Sequence, residues 1–168
     1  MDSQPAPNSP IAITVNTPAG SANFTSNKVA LAPGLLAPAA FRVGGRQYLA
    51  AQFSDGAFVG RPELIAGVGF RTAKPGDTLI VYGVGFGDVT PSIPPGVIAD
   101  RQNAILAPVS IQFGSTPSTT LYRGLAPGFV GLYQFNIVVP NVADGDTPIN
   151  MFVNGAPLSQ SLFLTVQR

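Results

Sequence analysis

Eight carboxylates supply all the acid chemistry available to this chain: Asp2, Asp55, Glu63, Asp77, Asp88, Asp100, Asp144 and Asp146. Histidine and cysteine are absent. The commonest general base, the Ser–His dyad, the thiol nucleophile and cysteine-built zinc sites are therefore excluded. Glycoside hydrolysis needs only two carboxylates, so paired aspartates are the remaining enzymatic reading. Asp55 in SDG, Asp77 in PGD and Asp144 in ADGD stand, however, where turn geometry alone favours Asp, whose side chain bonds nearby backbone amides. A Ser–Lys nucleophile would need Lys28 or Lys74, both in strand or turn contexts that read as solvated. The sequence is read as non-enzymatic.

Cation binding has one candidate, the ADGD turn, where Asp144 and Asp146 with nearby carbonyls would supply the oxygen ligands calcium prefers. That loop has neither the length nor the glutamate of an EF-hand, and no other cofactor is expected. Asp88 and Asp100, flanking a Pro-rich loop, form a looser pair. Glycan binding usually presents exposed aromatic platforms, yet Trp is absent. The four tyrosines, Tyr48, Tyr82, Tyr122 and Tyr133, fall in predicted strands, where core packing with a hydroxyl at the rim is the simpler role. Tyr122 and Arg123, beside the LAPG loop, are the candidate binding surface.

The stretch TLIVYGVGFGDVTP places Gly83, Gly85 and Gly87 after an apolar run and invites a nucleotide-binding reading. A dinucleotide fingerprint needs glycines at its first, third and sixth positions followed by a helix. Here they occupy positions one, three and five, and Pro91, Pro94 and Pro95 forbid a helix afterwards. No Gly-Lys-Ser or Gly-Lys-Thr follows for a P-loop. The three glycines read instead as a structural turn, a strand that bulges or bends, with Phe86 folding back into the core.

These residues are carried by a chain of short extended segments. Only 10% of its 168 residues are charged, and Gly and Pro number 19 and 17. Period-two alternation recurs: Tyr133, Phe135, Ile137 and Val139 share one face, as do Ile149, Met151 and Val153, then Leu162, Leu164 and Val166. IAITVNT, ANFTSNKVAL, QYLAAQF, TLIVYG, PVSIQF and STTLYRG are further predicted strands, and GRPELIAGV around Glu63 is the one place for a helical turn. About nine strands at this spacing predict an antiparallel β-sandwich. Residues 1–10 read as a flexible Pro-rich lead-in, 11–33 as an N-terminal β-hairpin and 34–168 as the sandwich domain. The hairpin ITVNTPAGSANF resembles the closing INMFVNGAPLSQSLF, as if it came from a partial second sandwich.

The net charge of +1 arises from basic residues scattered singly, so no nucleic-acid or polybasic membrane footprint exists. The longest apolar run is broken by Pro33, Gly34 and Pro38, which rules it out as a transmembrane segment or signal core.

KPGDTLIVYGVGFGDVTP, PVSIQFG and LYRGLAPGFVGLYQFNIVVPNVADGDTPINMFVNG together resemble a Solibacter-type C-terminal domain of uncharacterised exported acidobacterial proteins. The likeness extends upstream through VNTPAGSANF and LAAQFSDGAFVG. That family is in turn similar to the IPT/TIG branch of immunoglobulin-like domains. The resemblance implies a secreted or cell-surface immunoglobulin-like module, structural or adhesive, that docks other domains or subunits at the cell exterior. It supplies no catalytic residues. Two alternatives stand beside it: a subunit of an extracellular fibre that uses its N-terminal strand for β-augmentation, and a glycan-binding module.

Overall fold

The computed structural model describes residues 9–27, 31–62 and 64–168. The chain divides into two compact units, Met1–Ala32 and Pro33–Arg168.

The first unit is a two-stranded antiparallel hairpin of β1 (Pro10–Thr17) and β2 (Gly20–Asn27). Its turn places Gly20 at φ 140°, with the Thr17 hydroxyl donating to the Gly20 carbonyl at 3.0 Å. Every described residue of both strands is exposed. β1, the strand that β-augmentation would use, is paired along its length with β2.

The second unit is built on β3 (Gly34–Leu35), β4 (Thr78–Val84), β5 (Val109–Phe113), β6 (Thr119–Leu125), β7 (Tyr133–Val138), β8 (Gly145–Val153) and β9 (Leu162–Val166). One sheet has the order β6-β7-β4-β3. In the other, β8 lies between β5 and β9, and Thr116–Pro117 and Ala156–Pro157 add short strands beside β5 and β8. The pairings among these strands are antiparallel, whereas the excursion between β3 and β4 adds parallel bridges, Tyr48 to Phe163 and Ala73 to Val166. The predicted alternation is visible in the burial. Leu79 and Val81 of β4 and Phe135 and Ile137 of β7 point inward, as do Ile111, Ile149, Met151, Leu164 and Val166 of the second sheet. The architecture is all-β and sandwich-like, and the regular helix content of the described residues is one 3-10 turn at Ala39–Phe41.

Two expectations need correction. QYLAAQF does not form one strand. Tyr48 bridges Phe163 of β9, whereas Gln52 bridges Ile80 of β4. The segment thus passes from one sheet to the other within a few residues, with Leu49 and Ala51 fully buried on the way. The buried surface of both sheets rewards the crossing more than strand propensity rewards a straight course. The second correction concerns GRPELIAGV: Glu63 lies outside the described residues, and the residues around it form bends and turns.

The glycine stretch bends at the end of β4. Gly85 and Gly87 adopt φ of 78° and 83°, conformations that cost a side-chain-bearing residue about 1 kcal/mol or more. Gly83 has a different reason: a Cβ there would lie 2.6 Å from the Gly34 carbonyl oxygen and 2.7 Å from the Phe86 ring. Only a bare backbone allows β3 to pair with β4 at this point. Phe86 is fully buried, its ring centroid 4.9 Å from that of Phe135 and 5.4 Å from that of Tyr133.

Candidate functional site

The densest polar constellation is centred on Asp146, near the start of β8. Side chains alternate along this strand, so with Ile149, Met151 and Val153 facing inward, Asp146 lies on the outer face of its sheet. Its register partner on β9 is Thr165, whose hydroxyl donates to Asp146 Oδ1 at 2.8 Å. Three donors converge on the other oxygen, Oδ2. Arg46 Nη1 stands at 2.8 Å, Arg61 Nη2 at 2.7 Å and the Tyr48 hydroxyl at 2.8 Å. All three come from the long excursion between β3 and β4. The Asp146 side chain is 2% exposed, whereas those of Arg46 and Arg61 are 52% and 60% exposed. The charge is buried under its partners while the guanidinium groups stay in water. Arg46 also lies over the Phe163 ring, 5.3 Å from its centroid.

Burial alone would raise the Asp146 pKa. The hydrogen bonds from Tyr48, Thr165 and Arg46, with the charge of Arg61, outweigh it and hold the carboxyl below the ordinary aspartate value. Burial, together with the hydrogen bond and charge of Asp146, raises the Tyr48 phenol above its usual range. A carboxylate so held is a weak base and is fully ionised at neutral pH. Its four hydrogen bonds tie the β3–β4 excursion to β8 and β9.

This geometry does not assemble the calcium pair Asp144 and Asp146. Asp146 Oδ2 already faces two guanidinium groups, so a cation there would meet like charge. Asp144 turns to the C-terminal residue instead, accepting from the Arg168 backbone N–H at 3.0 Å. Among the described residues no three acidic side chains converge as a metal site would require. Asp55 and Asp77 use local amides: Ala57 N–H donates to Asp55 at 3.1 Å and Lys74 N–H to Asp77 at 2.8 Å. Arg71 also pairs with Asp55 and lies 3.7 Å from the Phe53 ring centroid.

Tyr122 and Arg123 are adjacent on β6 but do not act as a pair. The Tyr122 hydroxyl donates to the Leu125 carbonyl at 2.7 Å, closing a local loop, and burial raises its pKa. Arg123 is exposed, with one long contact of 3.4 Å to the Val109 carbonyl.

Two amide side chains that sequence reasoning missed fasten loops to the sheets. Gln160 bonds Leu35 in both directions, accepting from its N–H at 2.7 Å and donating to its carbonyl at 2.9 Å, like a neighbouring strand. Asn103, 6% exposed, accepts from Leu125 N–H at 2.6 Å and donates to the Arg101 carbonyl at 3.0 Å, pinning the Pro-rich loop onto β6. Asn103 packs against Gly124, where a Cβ would collide with its backbone. No periodicity marks an isolated Asn or Gln as a clamp. The run of turn residues around each was the only available signal.

Comparison of the chain with protein-family models, curated proteins and solved structures gave no match. Among the described residues no helix is long and apolar enough to cross a membrane.

Proposed function

We propose that Pro33–Arg168 is a non-catalytic structural or adhesive module of an exported bacterial protein, an immunoglobulin-like sandwich of the IPT/TIG kind that works at the cell exterior. The observation that supports this reading best is the use of Asp146. Its carboxylate is committed to two arginines, a tyrosine and a threonine that lash the long β3–β4 excursion to the outer face of a sheet. Acid–base catalysis by two carboxylates would require one of them to be held protonated. Both Asp146 and Asp55 are shifted the other way.

The test is incubation of the full chain with a panel of oligosaccharides, following both binding heat and product release. Neither signal is expected. Binding without turnover would favour a glycan-binding module, and turnover that survives repurification would overturn the non-catalytic reading.

A second reading, self-association through the N-terminal hairpin, is favoured by one specific observation. β1 and β2 contain no charged residue and no proline beyond Pro10 at the start of β1, and among the described residues no strand pairs with the outer edge of either. Natural edge strands normally carry charges or prolines that block such pairing.

A further inference from the structure

We infer that the apolar face of the β1–β2 hairpin packs against the same face of a second copy, forming a closed two-fold dimer. The inference rests on the self-association reading and specifies its partner and geometry.

Directly opposed residues of an antiparallel pair share a face. The register therefore gathers Ile11 with Ser26, Ile13 with Phe24 and Val15 with Ala22 on one side. The other side carries Ala12 with Thr25, Thr14 with Asn23 and Asn16 with Ser21. That second face is satisfied internally: Thr14 donates to Asn23 at 2.9 Å and Ser21 to Asn16 at 2.5 Å. The first face is bare, with Ile13, Val15 and Phe24 at 44%, 46% and 57% exposure.

The chain itself shows what such a face packs against. IAITVN at 11–16 matches INMFVN at 149–154 in three of six positions and in its alternation, and there Ile149, Met151 and Val153 are 3%, 2% and 5% exposed, on the inner face of a sheet in a sandwich-like unit. The fitting partner is the apolar face of another antiparallel sheet, stacked about 10 Å away. A lone two-stranded hairpin is marginal in water, so burial of this face would add stability it lacks.

Two arguments select a second copy as that partner. In an isologous contact each side chain meets the same surface patch on its twin, so like charges would repel. Residues 10–27 carry none. The second argument is area. Strands of eight residues extend about 27 Å and, two abreast, cover a band roughly 10 Å wide, a footprint of about 270 Å² on each copy and about 540 Å² on the two together. That is well below the roughly 1,600 Å² of a stable heteromeric complex and suits a weak reversible dimer, with Kd on the order of 100 µM.

Sedimentation equilibrium of the full chain, from about 10 µM to about 1 mM so as to bracket that affinity, tests the inference with two double variants. Ile13→Lys with Phe24→Lys places two lysines on the apolar face. Ala12→Lys with Thr25→Lys places them on the polar face, again directly opposed, so the cross-strand repulsion is matched. Cross-strand NMR contacts report whether each hairpin still forms. A monomer–dimer equilibrium is expected, weakened at least about tenfold by the apolar-face pair and less than about threefold by the polar-face pair. A monomer throughout the range would overturn both the dimer and the self-association reading. Open polymers weakened equally by both pairs would retain self-association through the strand edges and overturn the face-to-face dimer.

Discussion

Replacing Asp146 with Asn keeps the shape of the side chain and removes its charge. Four hydrogen bonds end on this carboxylate, three at Oδ2 and one at Oδ1. A hydrogen bond to a charged group contributes about 1.5–3 kcal/mol and a neutral one about 0.5–1.5, so each loses roughly 1 kcal/mol when the charge goes. Arg46 and Arg61 are more than half exposed, and their share shrinks to about half of that by solvent screening. The expected loss is about 2–3 kcal/mol, which for a domain of this size lowers Tm by roughly 6–10 °C. The pH dependence has a definite sign. Because the folded carboxyl is held below its ordinary value, its contribution is fully present above the unfolded pKa of about 3.9 and is lost as pH falls through the lower folded value. Thermal unfolding of both proteins from pH 7 to pH 2.5 should give a constant gap down to about pH 5 that narrows below about pH 4. A gap under about 2 °C at pH 7 would refute the anchoring role. A gap that stays constant down to pH 2.5 would refute the ionised, low-pKa state of Asp146.

Gly83→Ala should destabilise by about 2–3 kcal/mol through overpacking against Gly34 and Phe86, measured by denaturant unfolding. Gly85→Val, at φ 78°, should cost about 1–3 kcal/mol from backbone strain, and unchanged unfolding would show that the bend does not need glycine. Asn103→Ala leaves the buried Leu125 N–H without its acceptor and should cost about 1–3 kcal/mol, with faster amide exchange at Leu125 as the readout. Burial raises the pKa of Tyr48, Tyr122 and Tyr133, assisted at Tyr48 by the Asp146 hydrogen bond and charge and at Tyr133 by the charge of Asp88. In an alkaline absorbance titration these phenols should ionise above pH 10 while the fold persists, the stability they lend being lost as pH rises through their folded values.

Period-two alternation and turn chemistry are local properties, and whatever depends on them can be read directly from neighbouring residues. The inward faces of β4, β7, β8 and β9 follow from alternation, and the roles of Gly85 and Gly87 from glycine spacing and the prolines beyond. The amide-binding turns at Asp55 and Asp77 were legible for the same reason. What the tertiary structure alone decided depends on residues far apart in the chain. Asp146 read as half of a turn or cation site because its neighbour Asp144 was the only partner visible in sequence. Arg46, Tyr48 and Arg61 lie 100, 98 and 85 residues away, and only the folded excursion between β3 and β4 brings them to it. Tyr122 and Arg123 looked like a pair because they are adjacent, but strand geometry sends neighbours to opposite faces and the Tyr122 hydroxyl is used locally. Gln160 and Asn103 became clamps by the same long-range closure. A side chain's chemistry is set by what the fold brings within 3 Å of it, and sequence spacing reports that distance only inside a single strand or turn.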